Sequence, residues 1–217
     1  MDASPDEMLE LLRAHRADAQ AVGNILESCR QRLLPVVLFR LDSRLRRRVD
    51  ASDVIQETFM AALAKLDAYL AKPAIPFFLW LRLIAGEKVC ELHRRHLCAK
   101  KRSARREVSL QGQAFPAATS GVLADRLAAQ GTSPSGKVQR EETRGLIAAA
   151  LERMDPIDRE ILALRHFELL SNAEAACVLA ISETAASMRH CRAAKRLRKT
   201  LEDLGVVTGR RSARGAT

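Results

Sequence analysis

Apolar residues recur in this chain at helical spacing almost from end to end, and that periodicity leaves little room for a sheet. Ile55, Phe59, Ala62, Leu63 and Leu66 step by four, three, one and three, which is one face of a helix. Phe77, Leu81, Ile84, Ala85, Val89 and Leu92 form a second such stripe. There is no Asn-Gly or Asp-Gly turn and no sustained alternation of period two, so hairpins lack their usual signals. The expected fold class is all-α: two small helical domains joined by a flexible linker. The segment from Pro5 to Arg47 reads as one or two helices. Asp50, with Asp53 three residues on, marks a sharp helix start, and Lys72-Pro-Ala-Ile-Pro76 breaks that helix.

The positive charge is concentrated. Lys and Arg number 36 against 26 Asp and Glu, a formal net charge of +10. Arg82–Arg106 holds nine Lys/Arg and two Glu, and Arg189–Lys199 holds six Lys/Arg and no acid. Two basic patches point to a polyanionic partner, nucleic acid first. Other classes recede. Hydrophobic residues make up 47%, too many for wholesale disorder. The longest uninterrupted apolar runs, Leu33–Phe39 and Ile75–Leu81, fall far short of the ~20 residues a membrane span needs. No secretory signal is visible at the N-terminus, so a cytoplasmic location is expected. Five cysteines without a CxxC pair argue against a disulfide framework. Cys90, His93, His96 and Cys98 fan around one helix instead of converging, so no metal site is expected there. No nucleophile–base arrangement, glycine-rich phosphate loop or HExxH motif is present, so neither catalysis nor a cofactor is expected.

The C-terminal part carries the clearest constellation. Asp155-Pro156 opens one helix, and Ser171-Asn-Ala-Glu174 is a capping-box pattern opening a short, alanine-rich one. Ala180-Ile-Ser182 then makes a turn, with Ser182 placed to cap a long basic helix. Two short helices around a tight turn are what a helix-turn-helix requires. In that geometry the N-terminal half of the second helix faces base edges, here Ser182, Glu183, Thr184, Ala186, Ser187 and His190. The cations Arg189, Arg192, Lys195 and Arg196 would meet phosphates, which position without discriminating sequence.

Taken together, the two halves resemble a bacterial RNA polymerase sigma factor of the extracytoplasmic-function (ECF) group. Asp50-Ala-Ser-Asp-Val-Ile-Gln-Glu-Thr-Phe59 resembles the core of that family's region two. Phe77-x-x-Trp80-Leu81-x-x-Ile84-Ala85, followed by Glu91-x-x-Arg94-Arg95, resembles the segment that opens and reads the −10 promoter element. Leu151 through Leu197 resembles region four, which reads the −35 element. Arg105-Arg-Glu-Val-Ser-Leu110, Thr132-Ser-Pro-Ser135 and His166-Phe-Glu168 resemble the branch abundant in planctomycetes. The sequence departs from the family pattern at Glu87, where Asn is frequent, and at Ala180, where Gly is frequent.

The resemblance implies region two over 1–104, a linker over 105–137, region four over 138–204 and a disordered basic tail over 205–217. It implies core RNA polymerase as partner, through the β′ clamp helices and the β flap, with promoter DNA and an anti-sigma factor as further partners and no membrane insertion. Asp50, Asp53, Gln56, Glu57 and Phe59 would bind polymerase. Lys72, Phe77 and Phe78 would rim a pocket for an unstacked base, and Arg82, Lys88, Arg94 and Arg95 would follow the −10 strand. Phe77 and Trp80 also suit a core role, Trp80 holding its helix against the Ile55/Phe59 face. A free-standing helix-turn-helix regulator, a response-regulator-type activator and a basic membrane-associated protein are the competing readings. An activator of that type would need an α/β receiver, which a helical N-terminal half does not supply.

Overall fold

The protein is described by a computed structural model over residues 5–42, 44–46, 48–97, 120–131 and 137–203. Those residues form ten α-helices and no strand. The chain divides into two compact units, with the main division between Pro116 and Ala117. The outer part of the first basic stretch (98–106), Cys98, the segments 105–110 and 132–135, and the tail over 205–217 lie outside the described residues, as does the side chain of His96.

The first unit contains α1 (Pro5–Ala14), α2 (Ala19–Ser28), α3 (Arg30–Arg40), α4 (Ala51–Ala71) and α5 (Phe77–Leu97). Three helices therefore occupy the segment expected to hold one or two. Asp18 makes the first break, its carboxylate accepting the Gln20 and Ala21 N–H groups at 2.9 and 3.1 Å. The second break, at Cys29, has no side-chain cap. Asp50 caps α4 as expected, accepting the Ser52 N–H at 2.9 Å.

The core of this unit lies where α3, α4 and α5 pack on one another. Val36, Val37 and Phe39 meet Ile55, Ala62 and Leu66, together with Phe77, Leu81, Ile84, Ala85 and Val89, all buried. The α4 stripe is rotated from the expected one. Val54 and Thr58 join it, while Leu63 is exposed. Thr58 satisfies its buried hydroxyl by donating to the Val54 carbonyl at 2.7 Å. Trp80 stacks on Tyr69 of α4, with ring centroids 4.4 Å apart. Tyr69 donates its hydroxyl to the Ile75 carbonyl at 2.9 Å, which pins the proline-broken loop to α4.

The turn after α3 is held by polar groups. The Asp42 N–H donates to His93 Nε2 at 3.1 Å. The Asp42 carboxylate takes the Arg44 N–H at 2.8 Å and the Arg44 guanidinium at 3.0 and 2.9 Å. Hydrogen bonding from the Arg44 side chain holds the Asp42 carboxyl down at about 2. Burial, the largest influence on His93, pushes its imidazole below the usual range.

The second unit contains α6 (Ser120–Gly131), α7 (Lys137–Glu152), α8 (Pro156–His166), α9 (Asn172–Leu179) and α10 (Glu183–Asp203). The span assigned to the linker thus includes a twelve-residue helix, which packs on α7. Leu123, Ala124, Ala128, Ile147, Ala150 and Leu151 are buried there. The α7–α8 corner is closed twice. Asp155 accepts the Ile157 N–H at 2.8 Å, and Arg159 donates to the Leu151 carbonyl at 3.0 Å.

The capping box at α9 is reciprocal. The Ser171 N–H donates to Glu174 at 2.8 Å and the Glu174 N–H to the Ser171 hydroxyl at 3.1 Å. α9 ends in a Schellman motif, in which the Ile181 N–H reaches the Ala176 carbonyl and the Ala180 N–H the Cys177 carbonyl. This motif needs a left-handed residue, and Ala180 supplies it at φ 53°. Leu169, 74% exposed, is the other non-glycine residue with positive φ among the described residues, at 56°.

Two outcomes follow. A left-handed alanine costs ~1–2 kcal/mol, and glycine gives back ~0.4–1 kcal/mol as unfolded-chain entropy. Ala180→Gly should therefore raise unfolding stability by ~0.5–1 kcal/mol in urea titrations; a loss of stability would contradict the strained turn. Acid should weaken the first unit in two stages. His93 is depressed, so its contribution falls as pH drops below about 6.5. Asp42 is depressed too, so its contribution is whole above about 3.8 and is lost as pH falls towards 2. His93→Gln should flatten the upper stage and Asp42→Asn the lower one, read as stability against pH.

Candidate nucleic-acid and protein interfaces

Two of the cations of α10 pair with α8. Arg189 and Arg196 lie two helical turns apart and both reach Asp158 of α8. Arg189 donates to one carboxylate oxygen at 3.0 Å and Arg196 to the other at 2.9 Å. The Asp158 side chain is only 5% exposed, so its charge is held away from bulk water. Arg189 and Arg196, expected at phosphates, are both paired with the neighbouring helix, Arg196 while its side chain stays 67% exposed. Ala186 is buried and meets no base edge. His190 also turns to α8, its Nε2 lying 3.0 Å from Nε2 of His166.

The outward face of α10 holds what remains. Ser182, Glu183 and Thr184 are exposed, Ser187 is half-buried, and Arg192 and Lys195 are exposed. Ser182 also caps the helix, accepting the Ala185 N–H at 3.2 Å. Lys199 continues the line, while Arg198 pairs with Glu202 at 2.8 Å. Sequence reasoning missed Met188, half exposed on this face, and Asp158, the acid that selects which arginines stay free. A carboxylate in an acid-rich stretch gives no sign of such a role until the fold sets α8 against α10.

In the first unit the structure separates the −10 candidates. Phe77, Phe78 and Arg82 are buried, Arg82 at 1% exposure, so they present no surface to a strand. Phe77 belongs to an aromatic cluster with Tyr69 and Trp80, and the Arg32 guanidinium covers Phe78 at 3.9 Å. Their assignment to a base pocket and a phosphate track is corrected on that ground. Lys72, Arg94 and Arg95 are exposed, and Lys88 is half-buried. Lys88 and Arg95 share Glu91, at 3.6 and 2.7 Å. Glu87 pairs with Lys65 at 3.1 Å, so its charge is partly offset.

The α4 candidates likewise divide. Asp53, Gln56 and Glu57 line an open groove of about 690 Å³ with Met60, Ala61 and Lys88. Met60, 66% exposed, is an apolar centre with acids beside it. Asp50 is spent on its cap, and Phe59 is half-buried with the Arg30 guanidinium 5.5 Å from its ring centre, so neither lines the groove. The second unit has a different concavity, about 310 Å³. Leu123, Leu127, Leu151, Leu162, Leu197 and Leu201 dominate its wall. Of the expected cysteine–histidine group, His93 serves the turn at Asp42, and no three metal-ligating side chains converge among the described residues. No helix among them is long and apolar enough to cross a membrane.

Residues 144–197 match the family described as Sigma-70, region 4. The chain is 26% identical over 203 residues to the ECF RNA polymerase sigma factor BldN of Streptomyces coelicolor, covering 93% of this chain and 69% of that protein. Its fold is similar to that of CnrH, solved in complex with the cytosolic domain of CnrY. The TM-score there is 0.50 at 24% identity, over 92% of this chain and 99% of that one. A sigma factor RpoE from Bartonella quintana, solved with the anti-sigma factor NepR, aligns at a TM-score of 0.40 and 18% identity, over 84% and 95% of the two chains. Residues 144–197 thus match the sigma-70 region 4 family, and the chain as a whole is similar to an ECF RNA polymerase sigma factor.

Proposed function

We propose that this chain is a promoter-specificity subunit that binds core RNA polymerase and directs initiation at −10 and −35 elements. The observation that carries the reading is the region 4 segment folded as a capped helix-turn-helix, with Arg192, Lys195 and Lys199 on one open face of α10. In this reading Ser182, Glu183, Thr184 and Ser187 meet base edges of the −35 element, and Arg192 and Lys195 bind phosphates on either side. The −10 strand is followed by Lys72, Arg94 and Arg95, with Lys88 alongside. The Asp53/Gln56/Glu57/Met60 groove takes the β′ clamp helices, and the leucine-lined pocket of the second unit takes the β flap. The two units correspond to regions two and four, the chain acts in the cytoplasm without covalent chemistry, and an anti-sigma factor competes for the polymerase-facing surfaces. His166-Phe-Glu168, at the end of α8, is the described part of the planctomycete-type signature.

Transcription in vitro with core polymerase tests the whole. Promoter-dependent transcripts and a complex on gel filtration are expected. Tight duplex binding without core, and no transcripts with it, would favour the free-standing regulator instead. Two residue-level outcomes sharpen this. Arg192→Ala with Lys195→Ala should weaken duplex binding and make its log–log salt dependence shallower by about 2, one released counterion per lost contact. Arg189→Gln with Arg196→Gln, which removes both charges but keeps donors for the buried Asp158, should change that slope far less, because Asp158 already holds both; an equal change of slope for the two pairs would refute the division between paired and open cations. Glu57→Lys and Met60→Ala should reduce affinity for core while leaving stability within ~0.5 kcal/mol, as substitutions at exposed positions do. Unchanged core affinity in both would remove the groove from the interface.

A further inference from the structure

The second unit brings two imidazoles together across α8 and α10. His166, in the last turn of α8, and His190, on α10, place their Nε2 atoms 3.0 Å apart, with ring centroids at 5.0 Å and planes inclined by 44°. Both rings retain access to solvent. Two nitrogens each about 2.0–2.1 Å from one ion, at right angles across it, stand about 3.0 Å apart, and a tetrahedral ion would need about 3.3 Å. The hydrogen bond between the rings thus already holds both nitrogens near the spacing that right-angled coordination needs. We propose that His166 and His190 form a binding site for one divalent transition-metal ion of the imidazole-preferring kind, Ni²⁺ or Cu²⁺ ahead of Zn²⁺.

Without metal, one neutral ring donates its Nε2 proton to the other Nε2. On binding, that proton moves to Nδ1 of its own ring, both Nε2 lone pairs turn to the ion, and no proton is lost from the pair. Water completes the coordination shell, as the solvent-facing side of the rings permits. Two neighbouring groups set the affinity. Arg165, whose guanidinium donates to the Leu170 carbonyl, carries a charge near both rings. It disfavours imidazolium and so keeps the ligating form, but it also repels a cation. Burial acts in the same direction on protonation and is the larger influence on each ring. The result is a site of modest affinity that ties the end of α8 to α10, beside the Asp158 clamp on the same two helices. This inference stands apart from the proposed transcriptional role.

Calorimetric titration of the full, tag-free chain with NiCl₂, thiols kept reduced, tests it. One equivalent should bind, and the thermal transition should move up with added Ni²⁺. His166→Gln and His190→Gln should each weaken binding at least tenfold and abolish the thermal shift, with circular dichroism confirming that each variant is folded. Ni²⁺ binding of undiminished strength in both variants would place the metal on other histidines or cysteines and overturn the proposal. Absence of binding to the parent chain would overturn it equally.

Discussion

The arrangement of the second unit depends on a single buried carboxylate. Asp158 sits on α8 with its two oxygens divided between Arg189 and Arg196 of α10. A carboxylate taken out of water is costly unless charge-assisted hydrogen bonds replace its hydration, and two guanidinium groups do so here. The arginines themselves remain partly in water, so neither becomes a stranded charge. The clamp and the buried Ala186, Ala193 and Leu197 together fix the rotation of α10 about its axis. With that rotation set, Thr184, Met188, Arg192 and Lys195 face out. The outward set that the proposed function uses is thus a consequence of that packing and of one acid on a different helix.

The first unit follows a different logic. Its core is built from apolar shape, with α3, α4 and α5 meeting through Phe39, Ile55, Leu66, Phe77 and Leu81. Polar groups work at its edges. Tyr69 anchors the proline-broken loop, and His93 accepts from the backbone where α3 ends. The buried face of α4 uses up its apolar positions, which leaves Asp53, Gln56, Glu57 and Met60 together on the other side. An exposed methionine among acids is adaptable apolar surface with a charged rim, the composition of a docking groove.

Much of this was legible in the residues themselves. Helix starts are local chemistry, and Asp50, Asp155, Ser171 with Glu174, and Ser182 cap where their side chains say they should. What stayed hidden was non-local. The break at Cys29 has no capping side chain and comes from packing. α6 was partly legible: Val122–Ala129 suits a short helix, but the glycines and prolines around it read as linker although Leu123, Ala124 and Ala128 are buried. The candidate site was half legible. A cation's availability depends on what the fold sets beside it, so Arg189 and Arg192 look alike in sequence and differ in the structure. Arg82 looked like one more basic surface residue, and burial gives it a different place altogether.

The two left-handed residues bracket α9. Leu169 precedes its capping box and Ala180 closes it, so an eight-residue helix is suspended between two points of backbone strain. Opening that segment releases the strain at both ends at once, which lowers its local free energy of unfolding relative to the helices around it. In these terms α9 is the segment of this unit whose amides are expected to exchange ahead of those of α8 and α10.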